Sequence, residues 1–431
     1  MKEQVKKEIS FFDKFKTITF LIIGTLIFFI PIKSNGEFIN IYYMLHSYIK
    51  LNHISFVKAS VLVLALLGSI RGIYKTQNKN DHLRYFRIIS VIILFSLFYS
   101  KKELFSIDNT TTTLLNEISV SIFISLLIGS VFAQFIDFLV EVFEFLFSKI
   151  SKVLFDISGR GVFCVVMFLI TDSFFGLFLL NKLFKEGKLR QKEGAMILLN
   201  FFFMPLFVIN IFIGRVNISK LDFLFSSTLV LIIVNFLMCR IYPISKKKKS
   251  YNVKNRVNNK KYKDLNEVFE YVVKKDRHKN ISKELKDDLQ ESIEFITQIL
   301  PDIVILTYVS SSILGFIHLE NIFVDILKPL MEFLKYDNYS EILSFVFLNL
   351  LNGFYALNHI SLNILYDSKV LIMLIFSFGS ISIIKNILFK KVTKIQVSYF
   401  DFFATYFLRT FLIIVVYSLI IYIKRGYLIL G

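Results

Sequence analysis

The feature that most constrains this chain is a set of long segments that contain no charged residues. The window from Ile118 to Ile136, for example, contains no Asp, Glu, Lys or Arg. Hydrophobic residues make up 55% of the chain and charged residues 19%, against about a quarter in soluble domains. The core of a bilayer, about 30 Å thick, needs roughly 20 apolar residues in a helix to cross it. The sequence therefore predicts an α-helical integral membrane protein, and not a soluble globule.

Hydropathy predicts nine full membrane spans. We place them at 17–32, 54–72, 85–99, 116–147, 195–213, 221–242, 291–317, 370–388 and 400–423. The formal net charge of +18 lies mostly in the loops, where the preference of Lys and Arg for the cytoplasmic side explains it without nucleic acid. The basic N-terminus precedes an apolar run that we interpret as a retained first span. We expect a multi-pass protein of the bacterial cytoplasmic (inner) membrane with a cytoplasmic N-terminus.

Two further apolar stretches, 160–181 and 341–363, are predicted to be re-entrant helical hairpins. If 160–181 crossed once, the basic loop 182–192 would face outward and every later loop would invert. About twenty residues suffice for two half-length helices but not for two full crossings. By the same count of charges, the first hairpin enters from inside and the second from outside. Two similar halves of opposite orientation are typical of inverted-repeat transporters.

The hairpins divide the chain into segments. A segment with three spans, 1–115, precedes the first repeat, 116–242, and the second repeat is 291–431. The loop 243–290 lies between the repeats and opens with four consecutive lysines. We favour its interpretation as a solvated cytoplasmic linker; the alternative is a surface that binds anionic lipid or a partner.

Asp172, in the middle of the first hairpin, is the strongest candidate site residue. A carboxylate at the bilayer centre costs several kcal/mol unless it is paired or hydrated, so it usually faces a cavity. With Thr171 and Ser173 it would bind a cation, a proton or a polar group of a substrate. The alternative is a structural role, in which Asp172 and Ser173 cap the second half-helix.

The second hairpin offers the matching polar tip. Asn349, Asn352 and Gly353 lie at its centre and Asn358 follows. Amides and half-helix ends suit neutral polar substrates, although structural capping explains them equally well. His359 is a candidate proton relay, because its usual pKa of about 6.5 falls in the working range, but a hydrogen-bonded core histidine is the favoured interpretation.

Charged residues inside the predicted spans also need partners. Asp137, Glu141 and Glu144 fall on one helical face. Asp137 and Glu141 are candidates for lining a pathway, whereas Glu144 is expected either to pair with Lys149 or to snorkel to the membrane surface. Arg409 lies inside the last span, where an unpaired cation is costly. We expect a structural ion pair there, with Asp302 as the candidate partner.

Several classes of function have no motif in this chain. We find no glycine-rich phosphate loop, no His/Cys cluster with zinc spacing and no Ser/His/Asp arrangement at a common depth. We therefore expect no enzyme activity, no cofactor and no bound metal. The expected partners are the lipid bilayer, a small polar solute such as a nucleoside, and H⁺ or Na⁺ as a coupling ion. Homo-oligomerisation is left open.

Four motifs resemble, in order and spacing, the YjiH-like membrane proteins that carry nucleoside-recognition Gate domains. They are GTLIFFIPIKSNG (Gly24 to Gly36), ISGRG (Ile157 to Gly161), KEGKLRQKEGA (Lys185 to Ala195) and FLRT (Phe407 to Thr410). The resemblance covers nearly the whole chain. It implies a fold related to concentrative nucleoside transporters, with two hairpins that meet near the midplane. It also implies kinship with the Gate regions of ferrous-iron transporters and with spore-maturation membrane proteins.

The chain also departs from that family pattern. Ala356 stands where an acidic residue is expected, and Phe202 and Phe203 stand where small or hydroxyl residues are usual. These differences argue against a nucleoside site and leave room for another solute. The expected function is secondary transport of a small polar solute by alternating access at the two hairpin tips. The rival is a non-transporting membrane scaffold or partner-binding protein.

Overall fold

The computed structural model describes most of the chain. The described ranges are 10–34, 37–75, 87–99, 109–201, 205–251, 262–277, 280–317, 365–379 and 395–430, with short pieces at 324–325, 328–329, 332 and 393. Within these ranges the regular structure is helical apart from one antiparallel two-stranded ribbon. The predicted all-α class is therefore confirmed.

The described elements follow one another along the chain. They are α1 (Phe11–Phe28), β1 (Ile32–Ser34), β2 (Glu37–Ile39), α2 (Ile41–Asn52), α3 (Ile54–Lys75), α4 (Arg87–Tyr99), α5 (Asn109–Phe132), α6 (Asp137–Phe155), α7 (Gly159–Ile170), α8 (Ser173–Lys185), α9 (Gln191–Asn200), α10 (Leu206–Val216), α11 (Lys220–Met238), α12 (Leu265–Asp276), α13 (Ile281–Ile317), α14 (Tyr366–Leu374) and α15 (Tyr399–Leu430). A short 3₁₀ turn follows α5, and a π-helical segment continues α14.

Four helices in the described part of the chain are long and apolar enough to cross a membrane. Their apolar windows are Ile54–Gly72, Leu115–Phe135, Lys220–Met238 and Tyr399–Lys424. Each coincides with a predicted span, and the short apolar helix α4 lies where a short third span is predicted. Only 28–67% of each window is buried by protein, so large apolar faces remain for lipid. The chain is a multi-pass, membrane-embedded helical protein.

The predicted fourth span, 116–147, is wrong in its length. The helix ends in a 3₁₀ turn at Ala133–Phe135, and α6 begins at Asp137. The carboxylate of Asp137 pairs with Lys188 and Lys275, residues of the basic loops. Because that carboxylate must lie level with these loops, the apolar span ends before it. α6 then meets α7 at an angle of 89°.

The predicted fifth span, 195–213, is also not a single helix. α9 ends at Asn200, and α10 begins at Leu206, directly after Pro205. Proline has no backbone N–H to donate and disfavours helical conformation in the residue before it. Pro205 therefore marks the start of a new helix, α10, and α9 has already ended at Asn200.

Helix α5 lies at the centre of the packing, in contact with α2, α3, α8 and α13. Beside it, the rings of Phe28, Tyr42 and Phe175 pack with centroid separations of 5.7–6.0 Å. All three side chains are buried. These rings form a rigid wall next to the turn between α7 and α8, because Phe175 belongs to the first turn of α8.

The interpretation of 243–290 as a solvated linker is wrong for helix α12. Val268 and Val272 on α12 are fully buried against Phe138 of α6. Complete burial of a valine side chain contributes roughly 1.5–3 kcal/mol. The helix is therefore docked on α6 and also packs against α1.

Candidate functional site

The candidate site is the tip of the hairpin formed by α7 and α8. These helices have 12 and 13 residues, so each is only about 18–20 Å long. Ser158 caps the start of α7 by accepting a hydrogen bond from the backbone N–H of Gly161 at 3.3 Å. A Cβ at Gly176 would lie 2.7 Å from the ring of Phe168. The missing side chain thus lets the two arms approach closely just beyond the tip.

Asp172 is the residue directly before α8, in the short break between α7 and α8. One carboxylate oxygen, Oδ1, accepts hydrogen bonds from the backbone N–H groups of Phe174 and Phe175 at 2.7 and 3.2 Å. The other, Oδ2, accepts from the hydroxyl of Ser125 on α5 at 2.6 Å. The structural role considered for Asp172 is therefore present in the fold: it caps α8. Its side chain remains partly exposed, so the cap does not exclude a ligand.

The other two predicted tip residues contribute less. The Thr171 hydroxyl donates to the Met167 carbonyl within its own helix, and Thr171 is fully buried. Ser173 is buried as the first residue of α8. Of the three side chains, only that of Asp172 is partly exposed.

Residues of α2 complete the tip, and the sequence analysis missed them. The Asn40 amide donates to the carbonyls of Phe28 and Ile170 at 3.0 and 2.6 Å. The Tyr43 hydroxyl donates to the carbonyl of Thr171. These donors satisfy carbonyl groups that the ends of α1 and α7 would otherwise leave without partners. The pairing joins residues about 130 positions apart, so local sequence gives little sign of it.

His46, one turn beyond Tyr43, faces the same region. Its ring contacts the backbone of Ser121 and lies within the electrostatic reach of Asp172 and Glu117. Its Nε2 atom is buried and has no hydrogen-bond partner among the described residues. Burial lowers the pKa of this imidazole below its usual value, so the ring is neutral and its Nε2 can accept a hydrogen bond from a ligand.

At the end opposite the tip, the start of α7 lies close to the chain that follows α8. Asp156, just before α7, pairs with Arg190 at 3.3 Å and with Lys192 at 2.6 Å, beyond the end of α8. Burial opposes ionisation of Asp156, but the hydrogen bond and charge of Lys192 and the charge of Arg190 hold the pKa of its carboxyl below its usual value. The chain thus returns beside the point at which α7 begins.

The two basic loops also meet at this end. The N–H of Gln191 donates to the carbonyl of Ser250 at 2.8 Å, and that of Lys192 donates to Lys248 at 2.9 Å. The loops 182–192 and 246–251 therefore lie on one face of the molecule, as the predicted hairpin requires.

The two candidate pathway acids, Asp137 and Glu141, lie at the base of the hairpin and are ion-paired. Glu141 accepts hydrogen bonds from Arg160 at 2.8 and 3.2 Å and from Tyr262 at 2.9 Å. Burial, together with the charge of Glu141, raises the pKa of the Tyr262 phenol, which therefore stays a neutral donor. Asp137 contacts Lys188 at 3.3 Å.

Lys188 itself is almost completely buried. Burial would lower the pKa of its ammonium group, but the charges of Asp137 and Glu186 raise it above its usual value. Lys188 is therefore cationic. The acids of α6 tie this helix to the hairpin and to α12.

The predicted ion pair between Arg409 and Asp302 is wrong. Asp302 pairs with Arg87, at 2.7 and 3.1 Å, and not with Arg409. Arg409 is fully buried and donates to the carbonyls of Leu199 and Asn200 at 3.2 and 3.0 Å, where α9 ends before Pro205. The broken helix leaves carbonyl groups that a guanidinium can satisfy, which the prediction of an unbroken span could not show.

The predicted partner of Glu144 is also wrong. Glu144 lies 3.8 Å from Lys152 and accepts a hydrogen bond from the backbone N–H of Arg160 at 3.1 Å. The N-terminus of α7 attracts this carboxylate because its first N–H groups have no partner within the helix.

The candidate residues of the second hairpin lie outside the described residues. These are Asn349, Asn352, Gly353, Asn358 and His359, together with Ala356.

Comparison of the chain with protein-family models, with curated proteins and with solved structures finds no match. The site must therefore be interpreted from its own geometry.

Proposed function

We propose that this chain is a secondary transporter of a small polar solute, such as a nucleoside, in the bacterial cytoplasmic membrane. Nine spans, of which the fifth is broken between α9 and α10, and two re-entrant hairpins form the proposed topology, arranged as an inverted repeat with a cytoplasmic N-terminus. The solute binds between the hairpin tips, and alternating access exposes it to each side in turn. The YjiH-like resemblance is part of this proposal.

One observation carries the proposal: α7 and α8 are too short to cross a bilayer of about 30 Å, and they are joined at a carboxylate. Their outer ends meet again through Asp156 and Arg190. Broken helices with polar tips at membrane depth are tolerated where they line a cavity or are buried in protein. Partly exposed Asp172 would supply the site for a proton or cation, and His46, within its electrostatic reach, would supply a hydrogen-bond acceptor.

Uptake into proteoliposomes tests the role of Asp172. A thermal-shift screen against nucleosides, nucleobases and cations first identifies the solute. Asp172→Asn removes the charge but keeps the helix cap, since Asn caps as well as Asp. We expect ion-driven uptake to be lost in this variant. Asp264→Asn, the same change at the exposed N-cap of α12, is the matched control and should transport normally. Unchanged uptake in Asp172→Asn would remove Asp172 from the mechanism.

Cysteine labelling tests the topology. Single cysteines at Lys185 and Lys249 should react with an impermeant reagent from the same side of the membrane. Labelling from opposite sides would refute the hairpin, and the transport proposal with it.

The rival proposal is a membrane scaffold that binds a partner through the loop 243–290. The docking of α12 argues against this helix as the contact, since Val268 and Val272 are already covered. A stable co-purifying partner, with no thermal shift for any solute in the screen, would favour the scaffold.

A further inference from the structure

A basic cavity lies at the junction of α11 and α15, beside the start of α9. Its volume is about 670 Å³, and its lining includes Lys246, Lys247, Lys248, Gln191 and Asp401. Lys247 forms an ion pair with Asp401, so its charge is neutralised within the protein. Lys246 and Lys248 are exposed, and the structure shows no ion pair from either to a described carboxylate. The cavity therefore carries an excess of positive charge.

The cavity sits where two spans end. The apolar window of α11 ends at Met238 and that of α15 begins at Tyr399, and the two helices pack together. Tyr242 and Phe400 are 47% and 62% exposed, with ring centroids 6.3 Å apart. Exposed aromatic rings at span ends mark the boundary between lipid and water. The lysines thus lie at the depth of the lipid headgroups.

A row of exposed phenylalanines leads along α15 from the cavity. Phe403, Phe407 and Phe411 are each 40–47% exposed and recur every four residues along α15. This spacing puts them on one face of the helix. The Lys246 ammonium lies 5.6 Å from the ring of Tyr242, so a cation and an exposed ring are adjacent. The lysines, the interfacial rings and the exposed phenylalanines thus follow one another along the molecule. The phosphate, the glycerol region and the acyl chains of a phospholipid follow one another in the same order.

We infer that this cavity binds the phosphate of an anionic phospholipid, with Lys246 and Lys248 as the main contacts. Basic residues just beyond a span attract anionic lipid. The row of exposed phenylalanines favours a lipid over a soluble phosphate, which would make no use of it. The site depends on the membrane-embedded fold but not on transport, so the two proposals fail separately.

The test uses the full chain in phosphatidylcholine nanodiscs with and without phosphatidylglycerol. Bound phosphatidylglycerol is counted by native mass spectrometry after release. We expect Lys246→Gln with Lys248→Gln to weaken binding by roughly 25-fold, because each lysine near an anionic surface contributes about fivefold. Lys274→Gln with Lys283→Gln removes the same charge from exposed positions of the same loop, and should leave binding unchanged.

Three results would overturn the inference. Equal loss in both double variants would mean a general surface potential without a site. Retained binding in Lys246→Gln with Lys248→Gln would exclude these lysines. Displacement of the lipid by millimolar inorganic phosphate would indicate a soluble-anion site. Equal thermal midpoints of both variants in pure phosphatidylcholine would establish that the cavity variant is folded.

Discussion

The helix cap formed by Asp172 and the negative charge of its carboxylate can be separated by substitution with Ala and with Asn. Asp172→Ala removes the acceptor for the N–H groups of Phe174 and Phe175 and for the Ser125 hydroxyl. Asp172→Asn keeps an oxygen for the two N–H groups, and its amide can donate to Ser125, whose hydroxyl can turn to accept. The two variants therefore share the loss of charge and differ in the loss of the cap.

The magnitudes follow from these bonds. Loss of an N-cap costs about 0.5–2 kcal/mol. Loss of the negative charge at a helix N-terminus costs roughly 0.3–1 kcal/mol. We therefore expect Asp172→Asn to lower the free energy of unfolding by less than about 1 kcal/mol, and Asp172→Ala by about 1–3 kcal/mol, when both effects add.

Equilibrium unfolding in mixed detergent micelles, followed by far-UV circular dichroism, measures the difference. Asp264→Ala, at an exposed cap that accepts from Glu267 at 2.8 Å, provides a reference for cap loss outside the membrane segments. Equal destabilisation by Asn and Ala at position 172 would show that the charge, and not the cap, holds the turn. No destabilisation by either variant would refute the capping argument.

Three further predictions concern parts of the molecule outside the tip. Asp302→Ala should cost about 3–5 kcal/mol of unfolding free energy in micelles, because it leaves Arg87 buried without its carboxylate. The folded-state pKa of Asp156 is lowered, so its contribution, roughly 1 kcal/mol for a partly exposed group, should be present at neutral pH and lost as the pH falls below about 4. Asp156→Asn should remove this part of the acid dependence of the thermal midpoint. Val268→Asp should undock α12 and speed limited proteolysis of the loop 243–290, whereas Leu265→Asp, at a position 50% exposed, should not.

Each of these predictions has a result that contradicts it. A loss below about 1 kcal/mol in Asp302→Ala would mean that water or another group solvates Arg87. An unchanged acid profile in Asp156→Asn would show that other carboxylates set the acid limit. Equal cleavage of the Val268 and Leu265 variants would mean that α12 is not held by its apolar face.

The candidate site was only partly predictable. The break at Thr171 and Asp172 follows from a carboxylate and hydroxyls in the middle of an apolar stretch too short for two crossings. Asn40, Tyr43 and His46 were missed because they lie on a separate helix, α2, that a hydropathy profile does not mark as a span. Ser125 is a hydroxyl residue inside the apolar window of α5, which only weakly indicates a site residue. Serine is common in such helices because its hydroxyl can donate to the backbone of the same helix.

The ion pairs show the same limit. The sequence requires that Arg409 and Asp302 have partners, since an isolated charge in an apolar interior is too costly. It does not say which partner, and the two residues turn out to serve different sites. The break at Pro205, itself visible in the sequence, supplies the carbonyl groups that Arg409 uses.

The sequence by itself determined that this chain folds in a lipid bilayer. The length of each apolar segment can be compared with the thickness of the bilayer core without knowing how the segments pack. The sequence also determined the turn at Asp172, because a carboxylate and a broken helix satisfy each other locally. Only the tertiary structure decided that α12 docks on α6, that Arg87 meets Asp302, and that two distant loops form a basic cavity beside α15. Such contacts join residues far apart in the chain, and their energies depend on which surfaces meet, so no local pattern records them.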